Sequence, residues 1–237
     1  MARFRRRGYK RRRLNRRKSV RSRRFRRGFR RMLTRYAIGR PERKFIDVTS
    51  PGSAVQQAGG SVAPVYLNPI PQGTDNNARV GRKIMLTNIQ MRAIIDSTID
   101  GEVGELATDL IRILIVRDRM FTGTNTPTLA DVLDEATFTS STNLFIGFND
   151  LRTQGQQRFT TILDKMVPVS SDTGQNYQLR IVKYFKKTRK YLEFNGTGNT
   201  AASGGRNTLW MFFFKYNTSV TAATSFVYNI RLRFTDV

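Results

Sequence analysis

The side chains best placed to do chemistry in this sequence are cations. Residues 1–40 hold twenty basic residues, eighteen Arg and two Lys, and no acid. They fall into clusters: Arg3, Arg5, Arg6 and Arg7, then Lys10, Arg11, Arg12 and Arg13, then Arg16, Arg17 and Lys18. Arg21, Arg23, Arg24, Arg26, Arg27, Arg30 and Arg31 continue the series. A block of like charge this dense cannot collapse on itself, and its natural counter-surface is a polyanion. Arginine stays charged and forks onto phosphate oxygens, so such clusters can follow a nucleic-acid backbone without a fixed groove. Binding of that kind draws its free energy from counterion release and ignores base sequence. Phe4, Tyr9, Phe25, Phe29 and Tyr36 are interleaved with the clusters. Each offers a ring for an unpaired base, worth about 1–3 kcal/mol in an ordered site. Composition alone fits a genome-packaging arm, a nuclear-localisation tail or a ribosomal-type extension equally well.

Other chemistries are excluded by what is missing. The chain has neither Cys nor His, which removes disulfides, the usual zinc sites, and Ser-His-Asp or Cys-His catalysis. No catalytic residue, cofactor or metal is expected. No apolar run approaches the length of a transmembrane helix, and the N-terminal charges are not followed by the apolar stretch of a signal peptide, so no membrane partner is expected. A transit peptide would need an apolar helical face that a segment this rich in Arg does not have.

Beyond residue 40 the remaining 22 bases face all 17 acids, an ordinary balance for a folded body. Arg79, Arg82 and Lys83 precede a strongly alternating segment and read either as genome contacts or intersubunit ion pairs, or as solvated charge. Arg231 and Arg233 lie opposite an apolar face, where an inward surface near nucleic acid is one reading. Lys183, Lys186, Lys187, Arg189 and Lys190 form a second basic cluster, either a strand edge protected from sheet-to-sheet pairing or a further contact. Asp131, Asp134 and Glu135 could bind a cation between subunits, although a helix end with surface acids accounts for them as well. Trp210 with Phe212, Phe213 and Phe214 reads as core or subunit interface. Glu102 and Glu105 lie in a Gly-containing loop and suggest no acid–base pair.

The elements that must position these groups are strands. Phe45–Thr49 alternates weakly, and residues 50–79 are rich in Gly, Pro, Ser and Asn around a short apolar piece at Val62–Leu67. Ile84 and Leu86 share one face, as do Ile89, Met91, Ala93 and Ile95, so the phase slips at a bulge near Asn88. Leu110–Val116 reads as a strand buried on both sides. A two-turn helix is expected over Pro127–Asp134. Further strands are expected at Arg158–Val169, Gln178–Lys187, Tyr191–Phe194, Leu209–Tyr216 and Phe226–Thr235. In the last, Phe226, Tyr228, Ile230, Leu232 and Phe234 face one way. Residues 50–79 and 196–206 are candidate exposed or interface loops. Seven to nine strands with polar turns and one short helix predict an all-β sandwich, most naturally a jelly roll.

Five stretches then carry a resemblance: Asn77–Ile84 leading to Asp96, Arg112–Arg119, Asn149–Arg152, Arg158–Lys165 with Arg158-Phe159 and Leu163-Asp164-Lys165, and Ile230–Asp236. In this order they resemble the capsid proteins of circular, Rep-encoding single-stranded-DNA (CRESS-DNA) viruses, geminivirus coat proteins among them. Those coat proteins carry a Cys/His cluster near the basic region, which this chain does not have; the resemblance therefore points outside the plant-infecting group. It implies an eight-stranded antiparallel jelly roll over 41–237 behind an Arg-rich arm over 1–40, about sixty copies in a T=1 icosahedral shell, and circular single-stranded DNA as the packaged genome. It also implies recognition of the arm by a host nuclear import receptor, with the protein in the virion and the host nucleus. The competing readings are a cellular basic nucleic-acid-binding protein of ribosomal or chromatin type, and an enzyme with a basic anchor.

Overall fold

The computed structural model describes residues 42–57, 62–98, 108–133, 158–170, 178–216 and 223–237. Among the described residues nine strands, one short α-helix and a single 3-10 turn follow one another: β1 (Lys44–Ala54), β2 (Gln56–Gln57), β3 (Val65–Tyr66), β4 (Lys83–Thr98), β5 (Thr108–Asp118), α1 (Leu129–Val132), β6 (Phe159–Ser170), β7 (Gln178–Glu193), the 3-10 turn (Ala201–Ser203), β8 (Thr208–Lys215) and β9 (Ala223–Asp236). One sheet has the order β1-β9-β4-β7, the other β2-β8-β5-β6, with β3 also on β8. The antiparallel partners are nested: β1 with β9, β3 with β8, β4 with β7, β5 with β6. That nesting is a long hairpin rolled on itself, a jelly roll. β3 fills the eighth position, and β2 adds a two-residue parallel rung on β8.

The layer between the sheets is built by alternation. Ile84, Leu86, Ile89, Met91, Ala93 and Ile95 of β4 and Phe226, Ile230, Leu232 and Phe234 of β9 are buried there. They face Ile111, Ile113 and Ile115 of β5 and Leu209, Met211 and Phe213 of β8. The slip expected near Asn88 is present. The register of β4 with both neighbours shifts between Leu86 and Asn88. Against β9 the extra residue is Thr87 of β4, whereas against β7 two residues, Thr188 and Arg189, stand opposite Thr87. The slip returns both halves of β4 to the core face. Phe213 meets Phe226 across the gap, ring centres 4.8 Å apart.

The second sheet is buried on its other face too. Leu114, Val116, Trp210, Phe212 and Phe214 pack under Phe121, Leu129, Val132 and Leu133. This is why β5 and β8 read as continuous apolar runs. Trp210 is core, against Tyr66 and edge-on to Phe121. Gly123 sits at φ +98, with the Ala202 carbonyl 2.6 Å from where a Cβ would stand, so only glycine fits this turn.

Three expectations are corrected. The helix is one turn, Leu129–Val132, stopped at Leu133 in extended conformation; Thr128 and Asp131 cap it reciprocally, which accounts for Asp131 without a cation. Asp134, Glu135, Glu102 and Glu105 lie outside the described residues. The segments 178–187 and 191–194 are one strand, because β7 continues through its basic run in pairing with β4 across the bulge. The stretches read as exposed or interface loops are partly interior to the subunit itself: Leu67, Asn68, Ile70 and Arg79 are fully buried, and Ser203 is buried.

Ile230 and Asn229 are adjacent on β9 and face opposite ways, the first buried and the second exposed. Ile230→Ala should lower the unfolding free energy by about 2–5 kcal/mol, whereas Asn229→Ala should stay within about 0.5 kcal/mol. Denaturant titration of the two variants checks the assignment of faces.

Candidate nucleic-acid interface

The clusters from Arg3 to Arg31 lie outside the described residues, so the structure speaks to the basic residues of the body. Arg79 is corrected outright. Its guanidinium is wholly buried, with Nε donating to the Ile70 carbonyl at 3.2 Å, Nη1 to Gly81 at 2.6 Å and Nη2 to the Gly196 carbonyl. It also lies over the Phe194 ring, 4.2 Å from its centre. Burial pushes its pKa down. No face of it is open to a phosphate. It fastens the segment before β4 to the turn after β7.

Arg82 is exposed. Lys83 is exposed too, 3.6 Å from Glu193 and 4.7 Å from the centre of the Tyr191 ring. Arg231 forms a two-pronged pair with Asp47, Nε to Oδ1 at 2.7 Å and Nη2 to Oδ2 at 2.6 Å, and stacks over Phe45. The paired guanidinium holds the Asp47 carboxyl below its ordinary pKa, against a smaller opposing effect of burial.

Register places Arg231 and Arg233 within a larger surface. The rows across the first sheet are Phe45–Arg233–Asn88–Lys187, Asp47–Arg231–Gln90–Phe185 and Thr49–Asn229–Arg92–Lys183. All of these point away from the core. Arg92, Arg233, Lys183 and Lys187 have no carboxylate partner among the described residues. Phe185 is 53% exposed, Tyr191 45% and Phe45 42%. Among the described residues no element covers this face, in contrast to the other sheet. Cations interleaved with exposed rings on a flat pleated surface can neutralise phosphates and stack unpaired bases. Arg92 and Phe185 were missed as members of this surface, although their alternation with buried neighbours was visible in the sequence. Lys186 and Lys190 of the same basic cluster turn the other way, toward the gap between the sheets.

Most other buried charges have carboxylate partners. Arg112 forks onto Asp164 at 2.8 and 2.6 Å, Arg158 onto the fully buried Asp118, and Lys44 reaches Asp236 at 3.1 Å. Among the described residues no group of His, Cys, Asp or Glu could hold a metal ion, and no helix is long and apolar enough to cross a membrane.

Over residues 11–237 the sequence matches the family described as satellite tobacco necrosis virus coat protein. The chain belongs to that family of viral coat proteins. No curated protein matches the coat protein. A crystal structure of the 60-mer BFDV capsid protein is similar at 9% identity, covering 84% of this coat protein and 96% of that chain, at a TM-score of 0.26. So loose a superposition bears no weight, and the jelly roll rests on the strand pairing given above.

Arg79→Lys in the coat protein keeps the charge but loses the fork. It should cost at least about 2 kcal/mol through unpaired buried carbonyls, while nucleic-acid affinity of the folded protein stays unchanged, as read by melting and filter binding. For Asp47, a native pKa below the unfolded value means stability that is present above the unfolded pKa and lost as pH falls through the native one. Asp47→Asn should therefore destabilise at neutral pH and become neutral in strong acid, with high salt shrinking the difference; thermal melts across pH and salt check this.

Proposed function

We propose that this coat protein packages circular single-stranded DNA in a closed icosahedral shell of sixty copies, with residues 1–40 as the arm that neutralises the genome. The observation that carries the reading is the split of charge: twenty bases without an acid in forty residues, beside a body whose charges are nearly balanced. The uncovered basic face of the first sheet, with Arg92, Arg231, Arg233, Lys183 and Lys187, supports a second contact on the body itself; Arg82 and Lys83 are at hand beside it. Single-stranded DNA as the genome rests on the sequence resemblance to capsid proteins of CRESS-DNA viruses.

The magnitudes agree with the reading. Sixty arms of twenty charges bring about 1,200 positive charges against one negative charge per nucleotide, enough to neutralise much of a genome of about one to a few kilobases. Free arms repel one another until a polyanion screens them, so shell closure is coupled to nucleic-acid binding. The same arm, offered to an import receptor before packaging, would direct the protein to the host nucleus, and afterwards it belongs to the virion. As a coat protein the chain is a structural component, and no catalytic role is assigned to any residue.

Electron microscopy of full-length and arm-deleted protein, with and without single-stranded DNA, tests the proposal. Closed particles of one size should form from the full-length protein at low salt only when nucleic acid is present. Their contents should be lost to DNase, not RNase, after disruption. Equally good shells at low salt without any nucleic acid would refute the coupling, and RNA contents would refute the genome assignment. Binding of oligonucleotides by the full-length protein should fall steeply with salt, and deletion of residues 1–40 should remove most of that slope.

A further inference from the structure

At one side of the sandwich the two sheets end in β6 and β7, which are edge strands of different sheets. A cavity of about 90 Å³ opens between them, room for about three water molecules and far below what an organic cofactor needs. Leu86, Ile162, Leu192 and Leu209 supply its apolar lining. The polar lining is Arg117 from β5, Thr160 and Thr161 from β6, and Lys186, Thr188 and Lys190 from β7. No carboxylate lines it.

Arg117 is the unusual member. It continues the inward row Ile111, Ile113, Ile115 of β5 into the gap between the sheets, where an apolar residue would otherwise stand. Its Nη2 lies 3.4 Å from Thr160 Oγ1, and its Nε is buried without a hydrogen-bond partner. Burial first, and the charge of Arg119 second, hold its pKa below the ordinary arginine value. The acids nearest in sequence and register are engaged elsewhere: Asp118 with Arg158, Asp164 with Arg112, Glu193 with Lys83. Lys186 is drawn into the gap by the Ile162 carbonyl at 3.3 Å. That carbonyl belongs to the residue left out of the β5–β6 register by a bulge.

Three cations of like sign around a small cavity, one of them half-buried with an idle donor, is an arrangement that costs stability unless an anion completes it. Donors arrive from both sheets, as guanidinium, ammonium and hydroxyl groups, which suits an acceptor with oxygens in several directions more than a flat carboxylate. We propose that the cleft between β6 and β7 binds a phosphate-type oxyanion, held by Arg117, Lys186 and Lys190 with the Thr160 and Thr188 hydroxyls as further donors. The chemistry is common to free phosphate and to a phosphodiester of bound nucleic acid. The site is separate from the outer sheet face, and stands whether or not the packaging reading does.

The test uses the full-length protein, with inorganic phosphate as the probe and ionic strength held constant with chloride. The arm is present in every sample, so its response is common to all of them. Phosphate should raise the melting temperature saturably, with an apparent affinity at least tenfold weaker in Arg117→Gln and clearly weaker in Lys190→Gln. If Arg117→Gln does not fold, Lys190→Gln decides, since that side chain is exposed. A short single-stranded oligonucleotide that abolishes the phosphate-dependent shift assigns the cleft to backbone phosphate, and persistence of the shift assigns it to the free ion. Equal phosphate responses in wild type and both variants, or no response beyond that to chloride, would overturn the proposal.

Discussion

Burial of one apolar layer between two sheets is the constraint to which the rest of this body answers. Each fully buried aliphatic or aromatic side chain is worth about 1.5–3 kcal/mol, and the layer draws on every long strand. A strand that slips by one residue turns its whole apolar set to solvent. β4 is paired on both sides, and it meets that constraint with a slip at Thr87, which is the extra residue against β9 and is matched in β7 by an extra residue of that strand. The bulge at Ile162 does the same for β6 against β5, and its freed carbonyl takes donors from Tyr184 and Lys186 of the opposite sheet.

Where burial follows a regular period, the sequence was legible. The faces of β9, the slip in β4 and the doubly buried β5 all follow from which positions are apolar. The order of the strands and the short rungs of β2 and β3 are set by pairing between distant residues, and local pattern is silent about it. β7 was divided in the reading because its run from Lys186 to Lys190 hides alternation; only pairing with β4 makes it one strand. Arg79 was misread for a related reason. An arginine just ahead of a strand looks solvated, and its partners are backbone carbonyls, one of them at Gly196, which no side-chain pattern announces. The outer basic face was half legible, since Arg231 and Arg233 showed their orientation while Arg92 and Phe185 went unnoticed.

The cations of the body thus divide by what answers their charge. Carboxylates answer Lys44, Arg112, Arg158 and Arg231. Carbonyls and a ring answer Arg79. Arg92, Arg233, Lys183 and Lys187 on the sheet face, and Arg117, Lys186 and Lys190 in the cleft, have no carboxylate partner among the described residues. A charge that the fold leaves uncompensated is the most economical pointer to where something outside the fold is meant to bind.

β9 is last in chain order, yet it occupies an interior place in its sheet, flanked by β1 and β4. A chain emerging from the ribosome therefore carries two open strand edges until residues 223–236 have followed. Such edges invite pairing with other chains, and contacts this distant in sequence form slowly. The nascent body cannot acquire its finished outer face before synthesis has passed that point.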